Sequence, residues 1–142
     1  MATKKNYTYG VGKRKNASAR VRLYKQSLHG DAGKGSEENT VNGQVVGKYF
    51  PGDAARVSWS KPLELLMLTD KYFFTARVTG GGKEGQLDAV VHGLSRALSK
   101  VKTEHRQPLK KAGLLKRDSR ERERRKMNTG GKARRRKQSP KR

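Results

Sequence analysis

Apolar and polar positions alternate with a period of two in two stretches of this chain. Ala19, Val21 and Leu23 alternate with Ser18, Arg20 and Arg22, which predicts a strand with one apolar and one basic face. Tyr72, Phe74, Ala76 and Val78 alternate with Phe73, Thr75, Arg77 and Thr79, which predicts a second strand. Between them, residues His29 to Asn39 are rich in Gly, Ser and acids and read as a flexible loop. Asn42-Gly43, after Thr40-Val41, signals a tight turn or the end of a short strand. Gln44 to Phe50 suits a short helix stopped by Pro51-Gly52. Ser60 is placed as an N-cap, with Pro62 and Glu64 in the first turn of a helix reaching about Thr69. Beyond the second strand, Leu87, Val90, Val91, Leu94 and Leu98 recur at helical spacing, and the opposite face carries Asp88, His92, Arg96 and Ser99. Pro108, Leu109, Gly113 and Leu114 indicate one more short helix. Two or three strands, a helical stretch, a strand and a helix make an α+β fold, a sandwich of one sheet covered by helices.

Large apolar side chains become scarce after Leu115. The expected organisation is a flexible N-terminus at 1–6, a globular body at 7–115 and an extended basic tail at 116–142. The tail holds 14 basic and three acidic residues, about four times the charge density of the body. Its first part, Lys116 to Lys126, mixes signs in a way that suits a solvated helical turn through i,i+4 pairs. Gly130-Gly131 interrupts any helix, and Pro140 stiffens the end. Ordering a residue costs about 1–2 kcal/mol of backbone entropy. A single Lys or Arg near a polyanionic surface returns only about 1 kcal/mol. The tail is therefore expected to order only when many phosphates engage it together.

Charge then narrows the function. Thirty-five Lys and Arg against 12 acidic residues give a formal net charge of +23, and a polyanion offsets the resulting self-repulsion. Nucleic acid does so with release of condensed counterions. An anionic membrane would require bulky apolar residues opposite a basic helical face, or a lipid anchor; the tail has almost none of the former, and no lipidation signal is seen. No membrane partner is expected. The chain has no cysteine, and His29, His92 and His105 are too scattered for a metal cluster, so neither a metal site nor a cofactor is expected. No apolar run follows Lys4-Lys5, and no stretch reaches the roughly 20 apolar residues of a membrane span. A cytoplasmic location is the expectation.

Gly80-Gly81-Gly82-Lys83-Glu84-Gly85 has the G-x-x-x-x-G spacing of a phosphate loop between a strand and a helix. The Lys and Ser or Thr that would hold phosphates and magnesium are replaced by Gln86 and Leu87, so phosphoryl transfer has no machinery. Backbone N–H groups at such a turn still attract an anion, and Lys83 favours contact with RNA phosphate over a turn alone. Lys13-Arg14-Lys15, with Ser18, Arg20 and Arg22, is a basic cluster with little local acid and points to phosphate contact rather than a solvated face. His92 and Arg96 lie one helical turn apart without a nucleophile or carboxylate constellation, which favours packing or RNA contact over acid–base chemistry. Trp59, Tyr7, Tyr9, Tyr24, Tyr49 and Tyr72 do not show the paired stripes of an RRM-type sheet and are read mostly as core or edge residues. Two competing classes remain: an architectural DNA binder, which lacks a groove-reading motif, and a phosphate-binding enzyme, which lacks the loop lysine and hydroxyl.

Short segments with distinctive residues follow one another along the whole chain. They begin with Gly10-Val11-Gly12-Lys13-Arg14-Lys15, Ser18-Ala19-Arg20-Val21, Val41-Asn42-Gly43 and Tyr49-Phe50-Pro51. Gly80-Gly81-Gly82, Gly85-Gln86, His92-Gly93-Leu94 and Arg96-Ala97-Leu98 follow. Leu109-Lys110-Lys111-Ala112-Gly113, Arg117-Asp118-Ser119-Arg120, Glu123-Arg124-Arg125-Lys126 and Lys132-Ala133-Arg134-Arg135 complete the set. Taken in order, these segments resemble ribosomal protein nine of the small subunit, in its bacterial form. The loop from Lys25 to Asn39 is longer than the family's usual one.

The resemblance implies a ribosomal S-five domain-two-like βαβ sandwich bound to small-subunit ribosomal RNA in the head, beside neighbouring ribosomal proteins and without enzymatic activity. Expected rRNA contacts on the body are Lys13, Arg14, Lys15, Ser18, Arg20 and Arg22, then Gly80, Gly81, Gly82, Lys83 and Gln86, then His92, Arg96, Lys110 and Lys111. On the tail they are Arg117, Arg120, Arg124, Arg125 and Lys126, followed by Lys132, Arg134, Arg135, Arg136 and Lys137. The resemblance further implies that Lys141 and Arg142 approach peptidyl-site tRNA. Two departures stand out: the family's usual Gln-Phe-Ser-Lys-Arg end is here Gln138-Ser139-Pro140-Lys141-Arg142, and Val91 stands where the family often has Arg.

Overall fold

The two alternating stretches pair with each other at the centre of one sheet. The computed structural model describes residues 6–26 and 38–124. β1 (Tyr7–Arg14) and β2 (Ala17–Lys25) form an antiparallel hairpin around Lys15-Asn16, and β2 pairs antiparallel with β5 (Tyr72–Thr79). β5 also pairs in parallel with β3 (Thr40–Val41), which forms a tight hairpin with β4 (Gln44–Val45). The sheet order is β1-β2-β5-β3-β4. The helices are α1 (Val46–Tyr49), α2 (Asp53–Glu64), α3 (Lys83–Val101) and α4 (Arg106–Lys111), with a 3-10 turn at Thr103–His105.

Register places Ala19, Val21 and Leu23 beside Val78, Ala76 and Phe74, and all six are buried. Val90, Leu94 and Leu98 of α3, Leu63 of α2 and Leu109 of α4 complete that core. At about 1.5–3 kcal/mol for each large apolar side chain buried, this layer is the main source of stability. Helix α3 approaches β1 more closely still. The inward positions of β1 include Gly10 and Gly12, where a Cβ would overlap the carbonyl oxygens of Gly93 and Ala89 respectively. Ala89, Gly93 and Ala97, spaced four apart, form the matching small-residue face of the helix.

Two sequence expectations are corrected. Ser60 is no N-cap: it lies inside α2, buried, with its hydroxyl donating to the Val57 carbonyl at 3.4 Å. The helix begins seven residues earlier, at Asp53, after Gly52 turns the chain at φ 102°; the Asp53 carboxylate then meets the positive end of the helix dipole. Pro62 accordingly sits in the last turn, and the helix ends at Glu64 rather than near Thr69. Gln44-Val45 is strand, because Asn42 and Gly43 at φ 51° and 81° close a two-residue hairpin that pairs Val41 with Gln44. Only Val46–Tyr49 of the expected helix is helical.

Candidate nucleic-acid interface

β1 is an edge strand, and α3 seals its free edge with polar side chains. Lys100 Nζ donates to the Tyr9 carbonyl at 2.9 Å and Arg96 Nη1 to the Val11 carbonyl at 2.7 Å, while the Lys13 N–H approaches His92 Nδ1 at 3.4 Å. Residues 92, 96 and 100 are spaced one helical turn apart, so they meet alternate residues of the strand. Burial pushes the His92 imidazole pKa down, and the nearby charges of Arg96 and Arg117 add to that effect. A neutral ring suits its part as acceptor.

Where β1 ends, Arg14 is a meeting point for three parts of the chain. Its mostly buried guanidinium lies 3.4 Å from Asp88 of α3 and 3.1 Å from Asp118, and donates to the Arg120 carbonyl at 2.9 Å. Asp118 also accepts from the Arg120 N–H at 2.9 Å and from its guanidinium at 2.8 Å. The Arg120 hydrogen bonds, with Arg14 assisting, hold the Asp118 carboxyl far below the usual carboxylate range, and Arg120 is raised in turn. Lys116 to Arg124 contains no helical turn, contrary to the mixed-charge expectation. Asp118 is engaged by the body and by a residue two positions away, and so is not available for an i,i+4 pair. The remaining residues of that run, Arg125 and Lys126, lie outside the described residues.

The glycine turn follows β5 with Gly80 and Gly81 at φ 74° and 64°, packed against Asn16 and Ala17. Gln86 donates to the Gly80 carbonyl at 3.1 Å and accepts from the Tyr49 hydroxyl at 2.9 Å. Lys83 Nζ sits 3.3 Å from the Tyr49 ring centroid and donates to the Tyr49 carbonyl. Thus the side chains of Lys83 and Gln86, both expected to contact RNA, close the turn onto α1. Its exposed backbone remains, next to Lys15 and Arg14 around a hollow of about 370 Å³.

Two asparagines organise the sheet, Asn42 beyond the turn that Asn42-Gly43 signals and Asn39 with no signal in the sequence. β3 is only two residues long, but Asn39 and Asn42 flank it and mimic further strand backbone. Asn39 accepts from the Phe74 N–H at 3.0 Å; Asn42 accepts from the Val78 N–H at 2.8 Å and donates to its carbonyl at 3.1 Å. The Val41-Asn42-Gly43 motif therefore supplies a strand, a side-chain clamp and a turn in three residues.

Among the described residues, nothing packs on the face of the sheet opposite the helices, where Tyr9, Arg20, Arg22 and Arg77 are exposed. Tyr7, Tyr24 and Phe73 line up across three strands, with rings 5.7 and 5.1 Å apart. Trp59, Tyr49 and Tyr72 pack against the core and Tyr7 and Tyr9 lie on the edge strand, as the sequence suggests; the row shared by Tyr7, Tyr24 and Phe73 is the exception, because alternation alone does not reveal which rings meet. The next rows hold Tyr9, Arg22 and Thr75, then Val11, Arg20 and Arg77.

Comparison with known proteins decides what these surfaces belong to. A family model described as "Ribosomal protein S9/S16" matches residues 12–142. The "Small ribosomal subunit protein uS9" of Maridesulfovibrio salexigens is 41% identical over 127 residues, covering 89% of this chain and 91% of the relative. Its counterpart in Desulfovibrio desulfuricans is 44% identical over 120 residues, covering 84% and 85%, and that of Solidesulfovibrio magneticus 43% over 125, covering 88% and 89%. The chain belongs to this family, in its bacterial type.

It is therefore a ribosomal protein with a structural, non-catalytic role. Family membership accounts for the glycine turn without a nucleotide-hydrolysing site. The expected family residues separate into groups. Lys13, Arg14, Lys15 and Arg120 gather near the end of β1 and Arg117 lies near His92, while Ser18, Arg20 and Arg22 occupy the face opposite the helices, with the Ser18 hydroxyl 3.2 Å from that of Thr79. Lys110 and Lys111 are exposed on α4, and Arg124 is exposed at the last described position. Lys132, Arg134, Arg135, Arg136, Lys137, Lys141 and Arg142 lie outside the described residues. Among the described residues no helix is long and apolar enough to cross a membrane.

Proposed function

We propose that the body binds small-subunit ribosomal RNA in the head of the subunit, and that the basic tail continues along RNA until Lys141 and Arg142 meet peptidyl-site tRNA. The body is 7–115 in this reading and the tail 116–142, with a ribosomal S-five domain-two-like fold, in the cytoplasm and among neighbouring ribosomal proteins. The observation that carries it is the Arg14–Asp118–Arg120 junction. It starts the tail beside Lys13 and Lys15, at the β1–β2 turn, and the sequence that follows is the most basic part of the chain. Phosphate contacts of this kind position the protein without reading a sequence. His92, Arg96, Lys83 and Gln86 serve first as internal fastenings, and RNA contact falls mainly to Lys13, Lys15, Arg20, Arg22, Arg117 and the tail.

The reading predicts co-sedimentation with small ribosomal subunits through a high-salt wash; loss from washed subunits overturns it. Removal of Lys141 and Arg142 is expected to leave assembly intact and weaken peptidyl-site tRNA binding, with the salt slope of that binding lower by about 1–2. Unchanged tRNA affinity overturns the role of the tip.

A further inference from the structure

The sheet face opposite the helices carries a charge arrangement that the internal architecture does not require. Arg20 and Arg77 are direct cross-strand partners in the β2–β5 register, both exposed on the same face. Like charges placed directly opposite each other destabilise a strand pair. Neither forms an ion pair among the described residues, and the five strands contain no acidic residue at all. Arg22 lies one row away, 5.0 Å from the Tyr7 ring centroid. A hollow of about 980 Å³ lies against this face, lined by Arg20, Arg22 and Arg77, and Tyr9, 41% exposed, borders it.

We propose that this hollow is a binding site for an unpaired RNA strand, with a phosphate seated between Arg20 and Arg77 and a neighbouring base stacked on Tyr9. The inference rests on RNA being the protein's partner and adds a site, two residues that charge clustering alone did not single out (Arg77 and Tyr9), and a strand state. An anion between the two guanidinium groups removes the cross-strand repulsion and accepts their forked donors. A duplex offers phosphates but keeps its bases stacked inside, leaving the ring idle, whereas an unpaired strand engages both groups. An acidic peptide would satisfy the arginines alone.

The test uses the full chain with a ten-residue oligouridylate containing one 5-iodouridine, an RNA duplex of equal length and a deca-glutamate peptide. Arg77→Gln is expected to weaken oligouridylate binding about fivefold and lower its salt slope by about 0.7. Tyr9→Leu is expected to weaken it about tenfold with the salt slope unchanged. Irradiation of the unmutated chain is expected to link the iodouridine to Tyr9, a readout that does not depend on any variant folding. Crosslinks confined to other parts of the chain, or peptide competing as well as oligouridylate, overturn the proposal. Should the wild-type chain bind small-subunit rRNA while Arg77→Gln and Tyr9→Leu bind oligouridylate as wild type does, the site is wrong and the ribosomal reading stands. Wild type that binds neither rRNA nor oligouridylate removes both.

Discussion

The guanidinium of Arg96 donates to the Val11 carbonyl at 2.7 Å, joining the polar face of α3 to the outer edge of the sheet. An unsatisfied edge strand invites pairing with another chain, and the row His92, Arg96, Lys100 occupies the groups that would do so. Arg96→Met keeps much of the side-chain stem and removes the donor. We expect a loss of about 1 kcal/mol, measured by urea denaturation, together with more self-association in light scattering. Lys at this position should restore part of both.

Gly12 and Gly93 control how near α3 lies to β1. A Cβ on Gly12 collides with backbone, which cannot rotate away, and one on Gly93 comes within 2.8 Å of Val21 Cγ2 and 3.0 Å of the Gly12 nitrogen. Gly12→Ala is expected to cost about 2–3 kcal/mol or more, visible as a lowered melting temperature. Gly47→Ala is the control: nothing lies within 4 Å of its Cβ position and φ there is not positive, so stability should hold or rise slightly.

Asp118 fastens the start of the tail at neutral pH. Its folded pKa is depressed, chiefly by the Arg120 hydrogen bonds and to a smaller degree by Arg14 of the body, so the contribution is present above the ordinary carboxylate pKa of about 3.9 and is lost as pH falls toward the folded value. Asp118→Asn should mimic that loss at pH 7. The expected result is faster tryptic cleavage after Arg117 and Arg120 in the free protein, with the melting temperature of the body little changed. Equal cleavage rates in the two proteins would show that the junction does not restrain the tail.

His92 titrates in the opposite context, as a base. Its folded pKa lies below the ordinary value near 6.5, so the unfolded chain binds the proton more readily. Stability is then complete above about pH 7 and declines as pH falls through 6.5 toward the folded value. His92→Gln should flatten the dependence of the urea midpoint on pH across this window. A wild-type midpoint that rises on acidification would contradict the assignment.

The sequence revealed β2, β5 and α3 because burying one face of each demands a periodic row of large apolar residues. It concealed β1 for an equally physical reason. Thr8, Gly10, Gly12 and Arg14 occupy the side of β1 toward the helix, and close backbone approach there requires the absence of side chains. The start of α2 was hidden because Gly52, not a hydroxyl or carboxamide, precedes its first turn. For the candidate site, charge counting found Arg20 and Arg22 but treated every basic residue alike. Only register set Arg77 opposite Arg20, and only the tertiary fold showed Arg96 and Lys83 already occupied by carbonyl groups.

A sheet assembled without one carboxylate has no counterions of its own. Dissolved salt should consequently act in opposite senses on the two lives of this protein. In the free chain it screens arginine from arginine and strengthens the fold; in the RNA complex it replaces the ions whose release favoured binding and loosens the assembly. RNA thereby takes the place of the electrolyte, and the folded population becomes linked by mass action to the supply of the nucleic acid it joins.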